Sequence, residues 1–409
     1  MDRSKYLEKA KIYLDRLCNS SSHRCVGSIG NQLATKMFAA EMNKFGYSVE
    51  EQSFDCIDWT SGGIHLQAGG KSIKASISPY SLGCDVSAPL VSATTVDELD
   101  KTNAAGKVLL LSGEITKEQL MPKNFIFYNP EHHKRIISLL EQKNPSAILA
   151  ATTSDPGLAG GISPFPLIED GDFDIPSAYM TADEGARLQE YIGQQIVLKI
   201  DAERIPSHGM NVVGRKGEES NGRIVVCAHI DGKQGTPAAI DNAGSVVVLL
   251  LLAELMQTAN LKHCLEIVAL NGEDYYAASG EMVYLSQNQG KFDQIIIAIN
   301  LDGVGYIHGH TAYSFYGCPP EMEQAVNSFL ISKPDFIKGE PWYQSDHSMF
   351  INQQRPAMAI TSEHFMELCT NITHTAEDKP EIVELGKLVD ISAALSEIIQ
   401  IIDSSVIHD

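Results

Sequence analysis

The apolar positions near the start of the chain repeat with the period of a helix. Between residues 4 and 18, apolar side chains recur three or four positions apart, which places them on one helix face. A second stretch, from Asn31 to Phe45, has the same spacing and ends before Gly46, a residue type common just after a helix. We therefore predict two amphipathic helices at the start of the chain.

From about residue 206 onward, continuous apolar runs alternate with helical patterns. The runs predict buried strands at 224–228, 264–270, 295–301 and 357–361, with helices at 242–257 and about 380–402. The stretch from Val246 to Leu252 is apolar on all sides, which predicts a helix buried on several sides. Buried strands separated by helices are typical of a largely parallel sheet covered on both faces, so the predicted fold class is α/β.

The pattern differs between residues 57 and 205. Here glycine and proline separate short β-rich runs such as Val108–Leu111 and Ala147–Ala150. This change predicts a β-rich domain at 57–205 that is inserted into a first domain formed by 1–56 and 206–409.

Composition and charge exclude several classes of partner. The 52 acidic residues outnumber the 31 basic ones and give a formal charge of -21, which would repel nucleic acid and an anionic membrane. The longest wholly apolar run, Val246–Ala253, is far too short to span a membrane. We see no secretory signal, and the eight cysteines contain no Cys-x-x-Cys pair. We therefore expect a cytoplasmic protein with reduced thiols. The sequence leaves open whether the chain forms a homo-oligomer.

Acids and histidines follow the predicted strands at several places. They are His229, Asp231, Asp241, Glu273, Asp274, Asp302 and His374. Ligands bind at the carboxyl ends of strands in open parallel sheets, so these side chains are expected to meet in one cleft. The chain has no Walker A loop, no Gly-x-Gly-x-x-Gly and no Gly-x-Ser-x-Gly elbow, which argues against nucleotide binding and serine hydrolysis.

This donor set suits a divalent metal. Two imidazoles and several carboxylates without cysteine match zinc, and two ions would offset the crowded negative charge and activate a shared water. Asp231, two residues after His229, is suited to orient that imidazole. Taken singly, each acid after a strand could be only a solvated loop residue or a helix cap, and the joint pattern carries the metal hypothesis.

These motifs resemble the co-catalytic zinc aminopeptidases, a family that includes bacterial leucyl aminopeptidases and, more distantly, glutamate carboxypeptidase. The similar stretches are Arg24–Asn31, Ala228–Asp231, Ala239–Gly244, Asn271–Asp274, Asn300–Asp302, Ser345–His347 and His374–Asp378. The resemblance covers residues 1–56 and 206–409, and it implies a mixed, mostly parallel sheet between helices. In the inserted region, Ala105–Leu111 and Asp174–Met180 are similar to a protease-associated domain.

The resemblance also implies roles at numbered positions. It implies that Asp241 bridges two zinc ions, that His229 and Asp302 complete one metal site, and that Asp274 and His374 complete the other. Glu273 would be the general base that deprotonates a metal-bridging water. Cobalt or manganese could replace zinc. A cis peptide between Asp241 and Asn242 is implied as well.

Two positions depart from the family pattern, and two more are candidate substrate contacts. Asp274 stands where relatives usually carry glutamate, and Thr373 stands where glutamate carboxypeptidase-like relatives carry an oxyanion-supporting tyrosine. Asp346 and His347 are expected near the substrate. His132 and His133 are expected on a solvated helix face, because adjacent positions do not share one side of a helix.

The function expected from these features is a zinc aminopeptidase that hydrolyses N-terminal residues of short peptides. A carboxypeptidase or dipeptidase is an alternative, and it would need an arginine such as Arg204, Arg215 or Arg355 for the substrate carboxylate. A single-zinc enzyme like glutaminyl cyclase and a non-catalytic binding protein are the remaining alternatives.

Overall fold

The computed structural model describes residues 2–19, 23–125, 129–152 and 165–405. The chain divides into two compact units, the first formed by Met1–Cys56 and Ser207–Asp409 and the second by Ile57–Pro206. Parts of the inserted region, residues 126–128 and 153–164, lie outside the described residues. Each unit is taken by itself below.

The described strands are numbered in chain order. They are β1 (Ser48–Ala68), β2 (Lys71–Ile73), β3 (Ser76–Ile77), β4 (Cys84–Ala93), β5 (Val108–Leu111), β6 (Ala147–Thr152), β7 (Ser177–Thr181), β8 (Gln195–Lys216), β9 (Arg223–His229), β10 (Cys264–Leu270), β11 (Ile295–Leu301), β12 (Thr311–Tyr316), β13 (Phe336–Lys338) and β14 (Ala357–Ser362).

The described α-helices are numbered in the same way. They are α1 (Arg3–Asn19), α2 (Ile29–Lys44), α3 (Val96–Lys101), α4 (Glu131–Lys143), α5 (Ala182–Gln189), α6 (Gly244–Leu255), α7 (Ser279–Gln287), α8 (Pro320–Leu330), α9 (His347–Asn352), α10 (Phe365–Asn371) and α11 (Leu385–Ser405).

The first unit is built on a mixed sheet whose centre is parallel. Its order is β13-β12-β14-β11-β9-β10, followed by the last residues of β8. β14, β11, β9 and β10 are parallel neighbours, whereas β12 and β8 pair antiparallel at the two sides. The predicted α/β class with a mostly parallel sheet flanked by helices is confirmed. β9, β10 and β14 are buried along their whole length, and in β11 every residue except the half-buried Ile296 is buried, as the continuous apolar runs predict.

Helix α6 lies at the centre of the apolar core of this unit. Every residue from Val246 to Leu252 has no exposed surface, which confirms the prediction of a helix buried on several sides. It packs against α1 and α11. The apolar stripe of α1 reaches this core through Ala10 and Leu14. No helix in the described part of the chain is both long and apolar enough to cross a membrane.

Two predicted helix starts were wrong by a few residues. The helix expected from Asn242 begins at Gly244, because the backbone at Asp241 and Asn242 is not helical. The helix expected from about Pro380 begins at Leu385. A short 3-10 turn occupies Pro380–Ile382, and Val383 then forms an extended bridge to Tyr306.

The second unit has a parallel sheet of its own. β4, β5, β6 and β7 pair in parallel order, and β3 adds an antiparallel edge to β7. α3, α4 and α5 connect or follow these strands, so the unit is mixed α/β in its described part. The identity of this unit as a protease-associated domain stays a prediction.

The expected solvated position of His133 is wrong. Its side chain is buried, and its Nδ1 accepts the backbone N–H of Met121 at 3.1 Å. His132, its neighbour on α4, is exposed as predicted and lies 2.8 Å from a carboxylate oxygen of Glu118. Helix periodicity alone does not show which neighbour turns inward, because that depends on the segment packed against α4.

Candidate active site

The candidate residues stand at the carboxyl edge of the central parallel strands. His229 is the last residue of β9, Asp302 follows β11 directly, and the segment with Glu273 and Asp274 follows β10. β9 pairs in parallel with both neighbours, so the three strand ends open on the same edge of the sheet. The structure therefore brings together segments that lie up to 73 positions apart, from His229 to Asp302.

Asp241 lies in the turn that connects β9 to α6. The segment Ala239–Ala243 forms a wide helical turn in which Asp241 and Asn242 leave helical geometry, and their peptide bond is cis, as the resemblance implies. Asp378 supports this turn by accepting the N–H of Ile240 at 2.6 Å and that of Asp241 at 3.1 Å. Asn242 donates its side-chain amide to the Leu301 carbonyl at 3.0 Å, which joins the turn to the end of β11.

Asp241 lies between the two histidines. Its Oδ1 is 3.2 Å from Nε2 of His229, and its Oδ2 is 3.1 Å from Nε2 of His374. Each carboxylate oxygen therefore faces a different imidazole. This is the geometry of a carboxylate that can bridge two cations.

Two further acids lie beside these histidines, one on each. Oδ1 of Asp302 is 3.8 Å from Nε2 of His229. Oδ1 of Asp274 is 3.0 Å from Nε2 of His374. The aspartate that replaces the usual glutamate thus still reaches its histidine. All five residues predicted as metal ligands are brought together, in two groups that share Asp241.

Asp231 holds the loop that carries Glu273 and Asp274. Its carboxylate accepts the N–H of Gly272 at 2.7 Å and that of Asp274 at 3.0 Å. Gly272 has a φ of 120°, a conformation that glycine adopts readily and other residues rarely do. Oδ1 of Asp231 lies 3.7 Å from Nδ1 of His229, beyond hydrogen-bond distance. Burial opposes charging of His229, whereas Asp231, Asp241 and Asp302 raise its pKa. Asp231 therefore supports the adjacent loop and also faces the imidazole, and its role in orienting that ring stays a prediction.

The electrostatics of the group follow from burial and crowding. Burial by itself would raise the pKa of Asp241, but the imidazoles of His229 and His374 hold it well below its usual range. Burial likewise opposes charging of both histidines, yet the surrounding carboxylates raise their pKa values above the usual one. Burial raises the pKa of Asp302, an effect that His229 partly offsets. The site thus concentrates negative charge that a cation would neutralise.

The donor atoms fit a divalent metal such as zinc. Neither ring nitrogen of the buried His229 has a hydrogen-bond partner, and Oδ2 of Asp274 has none either. One donor atom each from His229, Asp241 and Asp274 lies within 4.8 Å of the others. Buried polar atoms are normally hydrogen-bonded, so Nε2 of His229 and Oδ2 of Asp274 are explained if they face a metal, whereas Nδ1 of His229 faces Asp231. Nitrogen and carboxylate donors are the ones zinc takes.

Glu273 is half-buried beside the same group. Burial raises its pKa well above the usual value, the nearby His229 opposes that shift, and Asp274 and Asp302 add to it. A carboxyl group with a raised pKa can both accept and return a proton during a reaction.

Comparison with known proteins assigns the family. Residues 211–399 match the family model described as peptidase family M28. The chain contains a peptidase family M28 domain. The resemblance to the co-catalytic zinc aminopeptidases is thus confirmed, and the chain is a metallopeptidase and therefore a hydrolase. A search of curated protein sequences finds no match.

Solved structures show the same fold over nearly the whole chain. An aminopeptidase from Aneurinibacillus sp. strain AM-1 is 19% identical, with a TM-score of 0.72 over 97% of this chain and 93% of the other. The zinc aminopeptidase BSAP from Bacillus subtilis is 18% identical, with a TM-score of 0.72 over 96% and 94% of the two chains. A peptidase M28 precursor from Shewanella amazonensis SB2B is 15% identical, with a TM-score of 0.69 over 99% and 97%.

The M28 domain buries the two residues expected at the substrate. Asp346 and His347 have no exposed surface, and the carboxyl group of Asp346 lies against that of the buried Glu281. His347 contacts the Trp342 carbonyl through Nε2 at 2.7 Å. Burial lowers the pKa of His347 to about 4, so the ring is neutral at pH 7. Their part in substrate binding stays a prediction.

Sequence reasoning about the M28 domain missed the side chains that support its metal-site loops. Arg24 is buried and donates to the carbonyls of Leu17, Ile230, Pro237 and Ala238, at distances from 2.7 to 3.2 Å. Asn31 exchanges two side-chain hydrogen bonds with Asn271, at 2.8 and 2.9 Å. Both residues lie in the Arg24–Asn31 stretch that resembles the family, but the resemblance did not indicate what either side chain does.

Proposed function

We propose that this chain is an aminopeptidase that uses two zinc ions to remove the N-terminal residue from short peptides. The observation that carries the proposal is the position of Asp241, which faces one histidine with each carboxylate oxygen. Each histidine has a further acid beside it, Asp302 for His229 and Asp274 for His374. These are two similar sets of donors around one shared carboxylate, as a two-metal site requires.

The roles of the residues follow from their positions. Zinc supplies a lowered pKa for a bound water and polarisation of the scissile carbonyl. Glu273 takes the proton from the attacking water and later gives it to the nitrogen of the leaving amine. Asp231 keeps Glu273 and Asp274 in place through the two backbone bonds that it accepts. Asp378 does the same for the turn that carries Asp241.

The positions of three arginines favour recognition of the amino end of the substrate over its carboxyl end. Arg215 donates to Glu266 near the start of β10, and Arg355 donates to the carbonyl of Ile295 at the start of β11. Both arginines therefore lie beside the amino ends of the parallel strands, opposite the edge with the site. Arg204 donates to carbonyls of the second unit and to Asp174. All three candidates for binding a substrate carboxylate are therefore engaged elsewhere. The crowded carboxylates of the site favour a cationic α-amino group instead.

The compartment forms part of the proposal. All eight cysteines are free thiols, which supports a reducing, cytoplasmic location. The substrates proposed there are short peptides.

The experiment uses the zinc-loaded full chain with peptides whose N-termini are free or acetylated. We expect cleavage of the free peptides alone, and we expect a chelator to stop it. Glu273→Gln should lower kcat by roughly a hundredfold or more while the metal stays bound, since general acid–base catalysis contributes about that much. The exposed Glu321 on α8 provides a matched control, Glu321→Gln, that should keep full activity.

The outcomes separate the alternatives. Equal cleavage of acetylated peptides would contradict the aminopeptidase and point to carboxyl-end specificity. One zinc per chain by elemental analysis would favour the single-zinc cyclase. A chain that binds no divalent metal would favour a binding protein without catalysis.

A further inference from the structure

A cleft in the first unit lies next to the metal-site residues. It has a volume of about 390 Å³ and is lined by residues of four segments: the first half of β12, the stretch before α9, the end of β14, and the segment that leads into and begins α10. Such a volume is within the range of sites that bind small molecules or side chains. The proposed mechanism gives this cleft no ligand, and the family motifs do not either.

Two contacts connect this cleft to the site. The N–H of Asp302 donates to the carbonyl of Ile360 at 3.0 Å, and the next residue along β14, Thr361, lines the cleft. Gly303 follows Asp302, and a Cβ placed on it would come within 3.1 Å of the Thr361 hydroxyl oxygen and 3.6 Å of the Phe365 ring. The cleft wall is therefore in direct contact with the residue beside a candidate metal ligand.

Helix α10 makes the same connection from the other side. Phe365 lines the cleft, and Cys369 stands one turn further along the same face of the helix. The Phe365 ring lies 3.6 Å from the position of a Cβ built on Gly303, so this helix contacts the residue that follows Asp302. Burial raises the pKa of the Cys369 thiol, and the carboxylates of Asp241, Asp302 and Glu273 raise it further. A peptide held at the metal site can thus place a neighbouring side chain in the cleft.

One wall of the cleft is aromatic and held in place. The rings of Trp342 and Phe365 lie 4.4 Å apart between centroids at an angle of 35°. Two contacts hold the backbone of Trp342 in place. Its carbonyl accepts a hydrogen bond from the Tyr316 hydroxyl at 2.6 Å, and it lies 2.7 Å from Nε2 of His347. His347 thereby acts as a positioning residue for this wall. An aromatic surface of this kind suits the aliphatic stem of a long side chain.

The rim of the cleft is acidic. Glu340, Glu363 and Glu367 line it, whereas none of the described lining residues is a lysine or an arginine. Glu363 accepts the His310 backbone N–H at 2.9 Å, and Glu367 lies 3.7 Å from His364. Within the described residues, Glu340 has no cationic partner within ion-pair distance. Glu340 thus offers negative charge that the described part of the protein does not itself neutralise, whereas Glu363 and Glu367 each face a histidine.

The floor of the cleft contains a polar atom that also lacks a partner. Thr361 is only 5% exposed, and its hydroxyl oxygen forms no hydrogen bond within the protein. A buried hydroxyl without a partner is uncommon and indicates a polar ligand at this point.

We propose that this cleft binds the side chain of the substrate's N-terminal residue and prefers lysine or arginine. The inference rests on the proposed aminopeptidase function and adds its substrate class. The stem of the side chain lies against Trp342 and Phe365, and the cationic head lies at Glu340 and Glu367. Charge complementarity distinguishes this occupant from a leucine or phenylalanine side chain, which would fill the apolar wall but leave the carboxylates without a partner.

The first test compares Lys-Ala-Ala with norleucine-Ala-Ala on the zinc-loaded full chain. Norleucine has the carbon stem of lysine without its ammonium group. We expect kcat/KM for the lysine peptide to be about tenfold higher, the size expected for one charge-assisted hydrogen bond, and we expect that ratio to fall with added salt. Glu340→Gln and Glu367→Gln should each lower the ratio. The matched control Glu8→Gln, an exposed glutamate on α1, should leave it unchanged.

The second test measures binding without turnover. The zinc-loaded Glu273→Gln variant is titrated with the same two peptides by calorimetry, and the lysine peptide should bind about tenfold more tightly. Equal or better use of norleucine in either test would overturn the basic preference while the aminopeptidase stands. Cleavage of neither peptide would contradict the proposed function itself.

Discussion

His229 combines complete burial with two ring nitrogens that have no hydrogen-bond partner. A buried imidazole in a stable core normally donates from one nitrogen and accepts at the other. Here the Nε2 side faces Asp241 and Asp302 instead, at 3.2 and 3.8 Å. At the residue scale, this arrangement supports the assignment of His229 as a metal ligand, whereas Nδ1 of the buried His263 lies 2.9 Å from a carboxylate oxygen of Asp403.

His229→Ala should lower zinc affinity by roughly a hundredfold or more, since even the loss of a supporting contact to a ligand costs tenfold to a hundredfold. Metal content after dialysis against a graded chelator measures this directly. The control is His208→Ala, because the His208 side chain is exposed and contacts only the exposed Asp55 among the described ion pairs. Unchanged zinc retention in His229→Ala would contradict its assignment as a ligand.

Supporting contacts between elements decide where the site loops lie. Arg24, just before α2, joins the end of α1 to the loop after β9 by donating to four carbonyls. That loop leads directly to Asp241. No other side chain type could supply a planar fork of donors to this many acceptors.

Arg24→Met should therefore lower the free energy of unfolding by about 3 kcal/mol, since it leaves buried carbonyls without donors. Urea unfolding followed by circular dichroism measures the change. Arg16→Met, at an exposed position of α1, is the matched control and should cost less than about 0.5 kcal/mol. Similar losses for both variants would contradict the structural role of Arg24.

The end of α11 is tied to the start of β10 through a single carboxylate. Asp403 accepts the backbone N–H groups of Lys262 and His263 at 3.1 and 3.0 Å. Burial by itself would raise the pKa of Asp403, but these N–H groups and the His263 ring hold it below its usual value. The ionised carboxylate is thus the form that stabilises the folded chain.

Asp403→Ala should lower the free energy of unfolding by about 1–3 kcal/mol at pH 7. Because the folded pKa is depressed, the contribution of Asp403 is fully present above about pH 4 and is lost as the pH falls through the folded value. The difference between wild type and variant, measured by urea unfolding, should therefore shrink between pH 6 and pH 3. Glu397→Ala, at an exposed position of the same helix, should show no such trend.

For the molecule as a whole, a metal bound at this site would be a source of stability. The carboxylates of Asp241, Asp274 and Asp302 are crowded at one edge of the sheet, and without a cation only the two histidines oppose their charge. A ligand that binds only the folded state stabilises it by about 2.7 kcal/mol at a hundred times its Kd.

Chelation should therefore lower Tm, and restored zinc should raise it again. Thermal unfolding followed with and without chelator measures this effect. In Asp241→Asn the same chelator should change Tm much less, because the shared carboxylate is lost. A wild-type Tm that does not respond to chelator would contradict a metal site in this place.

The sequence by itself determined the main elements and the fold class. The strands at 264–270 and 295–301 have the predicted limits, and the run from Val246 to Leu252 is buried as predicted. These features depend on local patterns of apolar side chains, and such patterns are visible in the sequence alone. The acids and histidines at strand ends were visible for the same reason, since a parallel sheet places its carboxyl ends together.

Only the tertiary structure decided how those side chains meet. It showed that Asp241 faces a different histidine with each oxygen, that Asp231 also supports the loop after β10, and that His133 is buried. It also placed Arg24 among four carbonyls and formed the acidic cleft beside Asp302. Each of these depends on contacts between residues far apart in the chain, and no local pattern reports such contacts because they arise from packing.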